Sequence, residues 1–315
     1  MATPKPALLL LQLGDSTQLS IFDDLYAPII NQLAPVYSLT TANDLKTAHA
    51  HLSQPAQPFK AILIADGGFA GTTFQMRVLQ KGVAKYVEAG GIAVFGCLFS
   101  SFVSGDAFQA MAHTMGLGWE TGDYHRTTFA LNPALRTVFG EQVSGSLERE
   151  YSMKALHLKK VEPGNKVYIP TSESRLESRV FPAAEVDQAQ CAAAFQRLGR
   201  GYVGYIGDVN NESGSRVLVK AMLGTFSVYK AFYDSSSRLL RPLIGGTRGL
   251  LSQGVNTGAS VNVGVNMPAL VDGCVTCGKT TPVKRCARCR DPQYCSVVCQ
   301  SAHWPEHKRY CTAPT

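Results

Sequence analysis

The chain has 315 residues, 45% of them hydrophobic and only 17% charged, with a mean hydropathy of −0.01 and a formal net charge of +7. These proportions exclude a disordered polyelectrolyte, a collagen and a long coiled coil, and the length suits one large core plus an appendage. No apolar run approaches the ~18–20 residues that a bilayer span needs. The run Ala7–Leu13 follows a single Lys5 and Pro6, and no small-residue cleavage site comes after it. It reads as a first core strand rather than a secretion signal, so the protein is expected inside the cell.

In chain order, Ala7–Leu13 is short and apolar and ends at Gly14-Asp15. A helix follows, with Leu19, Phe22, Leu25, Ile29, Ile30 and Leu33 expected on one face. Val36–Thr40 and Ala61–Ala65 repeat the strand pattern, with a helix over Asn43–Leu52 between them. Thr72–Ala89 is an amphipathic helix through Phe74, Val78, Val83, Tyr86 and Val87; Gly90-Gly91 ends it, and Ile92–Phe95 is the next buried strand. Short apolar strands alternating with helices predict an α/β fold, a parallel sheet with helices on both faces. Further on, Cys191–Leu198 and Tyr202–Val209 flank Gly199-Arg200-Gly201 as a hairpin, and Ser215–Phe226 is a helix with Val217, Leu218, Ala221 and Met222 inward. Thr127–Ala184 mixes strand and loop signals without an order. From Ser235 to Asp272 the chain is rich in Gly, Ser, Asn and Val with no steady period, which reads as a linker. The expected division is an α/β domain over 1–230, a linker over 231–272 and a small metal-binding domain over 273–315.

Nine cysteines spread evenly would suggest disulfides, but only Cys97 and Cys191 precede residue 270, and seven lie between Cys274 and Cys311. Such crowding in a chain without a secretion signal points to metal. The pairs are Cys274-x2-Cys277, Cys286-x2-Cys289, Cys295-x3-Cys299 and His307-x3-Cys311. Zinc takes four N/S ligands tetrahedrally, and a closed set is structural, so eight ligands imply two ions. So short a tail cannot bury a core worth its ordering entropy, and metal must supply its folding free energy.

The string from Tyr294 to Cys311, YCSVVCQSAHWPEHKRYC, resembles the second half of a MYND-type zinc finger, and Cys274, Cys277, Cys286 and Cys289 complete the pattern. The resemblance implies an interleaved arrangement. One zinc would be held by Cys274, Cys277, Cys295 and Cys299, the other by Cys286, Cys289, His307 and Cys311. His303 is expected to point to solvent or to a hydrogen bond. MYND fingers are protein-interaction modules that grip short Pro-containing peptides, and the positions that the resemblance carries over to the peptide groove are Gln300 and Trp304. An indole beside an amide suits an extended, donor-poor Pro segment. The competing role for Trp304 is a plug for the mini-core between two zinc sites.

The tail also carries seven Lys/Arg against three Asp/Glu from Val271 onward, so it holds four of the seven net positive charges. Lys284, Arg285, Arg288, Arg290, Lys308 and Arg309 make nucleic acid a possible partner, but the ligand spacing does not fit a DNA-reading C2H2 finger. A solvated face or a surface for acidic partners is the expectation.

In the large domain, Gly96-Cys97 follows a buried strand, where hydrolases of the nucleophile-elbow type place their attacking atom. Asp66-Gly67-Gly68-Phe69 follows the preceding strand, where backbone N–H groups could serve an oxyanion. Together these turns resemble a class I glutamine amidotransferase-like domain, which implies a flavodoxin-like three-layer fold. The catalytic pattern is incomplete. The turn after the late strand, Asp208-Val209-Asn210-Asn211-Glu212, has no His, and Phe99 stands where the elbow needs Gly. His125 is the candidate substitute base, if the fold brings it to Cys97, and His113 is expected to pack on a helix. Two readings follow. One is a zinc-binding adaptor whose α/β domain is a scaffold or a ligand-binding relic. The alternative is a Cys97-dependent hydrolase or amidotransferase-like enzyme that the finger delivers to partners.

Overall fold

A computed structural model describes residues 5–54, 58–139, 141–178, 180, 182–224, 284–289, 293–308 and 311. The expected linker, Cys274 and Cys277 lie outside the described residues, as does the boundary expected at residue 230.

The first strand, β1 (Ala7–Leu11), consists almost wholly of leucine, and Leu8 to Leu11 are all buried. A strand with no polar face must be covered on both sides, and helices do so. Helix α1 (Ser16–Leu33) starts at Asp15, whose side chain accepts from the Gln18 N–H at 2.9 Å. It buries Phe22, Tyr26, Ile29 and Leu33. The expected face therefore needs a correction: Leu25 is 47% exposed and Tyr26 takes its place, because 22, 26, 29 and 33 keep the helical stripe tighter.

Strand β2 (Ser38–Ala42) begins two residues later than expected. The Leu33 carbonyl accepts from both Val36 and Tyr37, finishing the helix and leaving Val36 exposed. Helix α2 (Leu45–Leu52), β3 (Phe59–Ile64), α3 (Phe74–Glu88) and β4 (Ile92–Phe95) follow as the pattern required, with Asp44 and Thr73 as N-caps. A short turn of helix, α4 (Phe99–Phe102), and α5 (Gly105–Thr114) come next. His113 on α5 is exposed, so it does not pack as expected.

The stretch without a legible order is the antiparallel half of the sheet. It holds β5 (Glu120–Leu131), the short helices α6 (Arg136–Phe139) and α7 (Glu141–Ser146), β6 (Glu150–Lys159) and β7 (Lys166–Pro170). The expected hairpin, β8 (Ala193–Leu198) and β9 (Gly201–Ile206), and helix α8 (Ser213–Gly224) complete it.

All nine strands form one sheet in the order β2-β1-β3-β4-β9-β8-β7-β5-β6. The first five run parallel, in the doubly wound order of flavodoxin-like folds, and the other four join antiparallel. One face packs on α2, α3 and α5 through Ala48, Leu79, Val83 and Phe108. The other packs on α1 and α8 through Phe22, Ile29, Leu218 and Met222. The result is the three-layer α/β architecture.

The far strand, β6, is not left bare. Its Leu158 exchanges backbone hydrogen bonds with Cys191, its Leu156 N–H reaches the Gly207 carbonyl at 2.9 Å, and Val209 donates to Lys154 at 3.0 Å. The base of the β8–β9 hairpin thus covers the outer side of β6. A Cβ at Gly207 would stand 2.2 Å from the Leu156 carbonyl oxygen, so only glycine allows this approach.

Candidate functional site

Near the C-terminus, β10 (Lys284–Arg285) and β11 (Gln293–Tyr294) pair antiparallel, and α9 (Val297–His307) follows. The turn after β10 presents Cys286 and Cys289, and the last turn of α9 presents His307, with Cys311 just beyond. Their ligand atoms all lie within 4.8 Å of one another. His307 Nε2 is 3.3 Å from Cys286 Sγ and 3.5 Å from Cys289 Sγ, and the Cys286 and Cys311 sulfurs are 3.7 Å apart. A tetrahedron with zinc–sulfur bonds of 2.3 Å has edges of roughly 3.8 Å, so the donor set fits that ion in kind and in size.

Electrostatics favour the thiolate of Cys286, the form that zinc requires. Burial works against the Cys286 thiolate, but the backbone groups of Cys289 and Arg288 and the side chains of His307 and Cys289 outweigh it. The thiol is drawn down to about 6. Cys311 is pushed up by burial and by Cys286 beside it, the mutual repulsion that a bound dication relieves.

Cys295 and Cys299 lie one helical turn apart with sulfurs 3.6 Å from each other. They form half of the other expected set; Cys274 and Cys277 lie outside the described residues. In the described cluster, Cys286 and Cys289 stand with His307 and Cys311, with the Cys295–Cys299 pair between them in sequence.

Residues 274–311 match the family model of the MYND finger. The match and the cluster together make this part of the chain a zinc finger. In this MYND finger the buried aromatic is Tyr294, 3% exposed, its ring 6.2 Å from that of His307. Trp304 packs its ring 5.8 Å from His307 on the outer side and remains 42% exposed. The mini-core plug is therefore Tyr294 and not Trp304, the residue to which the sequence gave that competing role; an aromatic directly before Cys295 on a two-residue strand was the available signal. Gln300 is half-buried on the same helix. The side chain of His303 lies outside the described residues.

The α/β domain resembles solved structures at low identity. A ThuA-like protein of Bacteroides uniformis is 11% identical, with 71% of this chain and 93% of that chain covered and a TM-score of 0.47. A ThuA-like protein of Parabacteroides merdae is 12% identical over 71% and 91%, with a TM-score of 0.41. A beta-galactosidase of Bacillus circulans sp. alkalophilus is 10% identical over 72% of this chain and 31% of that chain, also at 0.41. None of these likenesses assigns chemistry to the domain.

The Cys97 turn supplies its own evidence. Cys97 sits at φ 56°, the left-handed backbone that a nucleophile elbow adopts, although Phe99 replaces the expected glycine. Phe99 begins α4 and is wholly buried against Phe95, with ring centroids 4.7 Å apart. The thiol, however, is 4% exposed, and burial together with the carboxylates of Asp66 and Asp208 pushes it far above its ordinary range. The amides that would receive an oxyanion are occupied. The Leu98 N–H donates to the Ala65 carbonyl at 2.8 Å, and the Gly68 N–H donates to Asp66 Oδ1 at 3.0 Å.

A cleft of about 240 Å³, open solvent included, lies beside Cys97 and is lined by Tyr26, Asp208, Asn211, Ser215 and Arg216 among others; no histidine lines it. Asp208 is fixed there by the backbone N–H groups of Asn210 and Glu212, at 2.8 and 2.7 Å. His125 is the clearest correction. It stands on β5 with its ring 4.3 Å from that of His157, because the β5–β6 pairing holds it there, and it does not line the Cys97 cleft.

Proposed function

We propose that the protein is a zinc-dependent adaptor whose MYND finger binds short Pro-containing segments of partner proteins, with Gln300 and Trp304 in the groove. The reading rests on the four-ligand cluster within a MYND match, beside a tryptophan that the fold leaves exposed. Two structural zinc ions per chain complete it, the second on Cys274, Cys277, Cys295 and Cys299. Reduced thiolate ligands suit an intracellular setting. The α/β domain serves as a non-catalytic scaffold, joined to the finger by a linker.

The rival reading, a Cys97-dependent hydrolase or amidotransferase-like enzyme, draws on the left-handed backbone of Cys97. A buried, protonated thiol with no imidazole in its cleft argues against it, since the thiolate is the nucleophile and a base must form it. Peptide binding to the full, zinc-loaded chain, measured by fluorescence anisotropy, tests the adaptor reading. Trp304→Ala is expected to weaken binding by roughly 2 kcal/mol, the scale of an interface hot spot, with zinc content unchanged. Failure of intact protein to bind any Pro-containing peptide would overturn it.

A further inference from the structure

Helix α9 has two unlike faces. Cys299 and His307 turn inward, and His307 is 5% exposed. Val297, Ser301, Trp304 and Lys308 follow at steps of four, three and four residues, the spacing of one helical face, and all four are exposed. Val297 is 76% exposed and Trp304 42%, so two large apolar side chains on one face of so small a domain meet solvent.

Exposed cations stand on the same small module. Lys308 is exposed one turn beyond Trp304, and its backbone N–H donates to the Trp304 carbonyl at 2.9 Å. Lys284 and Arg285 are exposed on β10, whose partner β11 packs on α9. None of these three forms an ion pair among the described residues. Arg288 differs: it stands near Cys311 and favours its thiolate, which gives it a task inside the module.

We infer that the segment this finger accepts is acidic: an extended Pro-containing peptide with an apolar residue on the Val297–Trp304 stripe and Asp or Glu side chains toward Lys284, Arg285 and Lys308. The inference rests on the peptide-binding reading above and adds the charge class of the partner. Nucleic acid fits less well. Phosphate contacts would be sequence-independent and salt-sensitive, and they would leave Val297 and Trp304 unused.

The test uses full-length, zinc-loaded protein and three synthetic peptides that share a central proline and one aliphatic residue, flanked by glutamates, serines or lysines. At about 0.05 M salt the glutamate peptide is expected to bind ~10-fold more tightly than the serine peptide, and the lysine peptide more weakly still. The preference is expected to shrink severalfold at about 0.5 M salt, since exposed pairs are screened. A Lys284→Ser, Arg285→Ser, Lys308→Ser variant is expected to keep its zinc, still bind the serine peptide, and lose the preference for glutamate. Equal affinity of the intact protein for the glutamate and serine peptides would overturn the inference and leave the peptide-binding reading standing. Binding of none of the three would overturn both. Tighter binding of a DNA duplex than of every peptide at the higher salt would also refute it.

Discussion

Acidification is expected to destabilise the α/β domain, with His157 a principal contributor beside His125 and His49, whose pKa values burial also lowers. The His157 imidazole is 1% exposed, stacked edge-on against Phe129 at 5.1 Å and against His125 at 4.3 Å, and its Nε2 has no hydrogen-bond partner. Burial, and next the neighbouring His125, push its pKa down from 6.5 to about 4, against weaker upward pulls from Asp123, the His125 backbone and Asp187. The folded state therefore prefers the neutral ring. Stability from this group is complete above about pH 6.5 and is lost as pH falls toward 4. A shift of this size corresponds to about 3 kcal/mol in full, of which roughly 2 kcal/mol is gone by about pH 5. Asp66 and Asp208, both raised by burial, act in the opposite sense, so the wild-type profile alone is a mixture. Comparison with His157→Gln, which has no charge to gain, isolates the term. Urea unfolding followed by circular dichroism between about pH 7.5 and 4.5 should give wild type the steeper acid loss by roughly 2 kcal/mol. Parallel profiles would refute the reasoning.

Metal analysis of the intact chain is expected to give two zinc ions, and Cys286→Ser should lower that content while leaving thermal unfolding of the α/β domain unmoved. Iodoacetamide should modify Cys97 in native protein far more slowly than in urea-unfolded protein, read by mass spectrometry of the peptide; native labelling as fast as unfolded would contradict the buried, protonated thiol. Gly207→Ala should cost several kcal/mol, because the new Cβ meets the Leu156 carbonyl 2.2 Å away, and a midpoint within error of wild type would show that β6 can retreat without loss.

The parallel half of the fold was legible because β1 and β4 are short, wholly apolar runs, and β3 is interrupted only by Lys60, with helical repeats between them; Ile92–Phe95 lies where the residues put it. The antiparallel half was not, because β5 and β6 alternate buried and half-exposed positions, run 12 and 10 residues, and are broken by a register shift between Thr121 and Tyr124. Four of the ligands that spacing singled out, Cys286, Cys289, His307 and Cys311, stand together, since two- and three-residue gaps leave little geometric freedom. The fate of His125 was not. Whether a distant base meets Cys97 depends on strand order across the sheet, and no local pattern encodes that. Tyr26 in place of Leu25 is a smaller case, in which the helix rotated to bury the larger ring.

The way β6 is fastened to Cys191 and Gly207 also decides how copies of this sheet could join. An open sheet offers two unsatisfied margins, and two margins permit end-to-end addition without limit, the route to fibres. Here one margin is consumed inside the same chain, and among the described residues β2 is the only strand at an open end. A body with a single sticky margin can pair with one neighbour and then stops. Folding the last strand back on the hairpin base thus acts as a chain terminator against polymerisation of this domain, at the modest expense of requiring glycine at position 207.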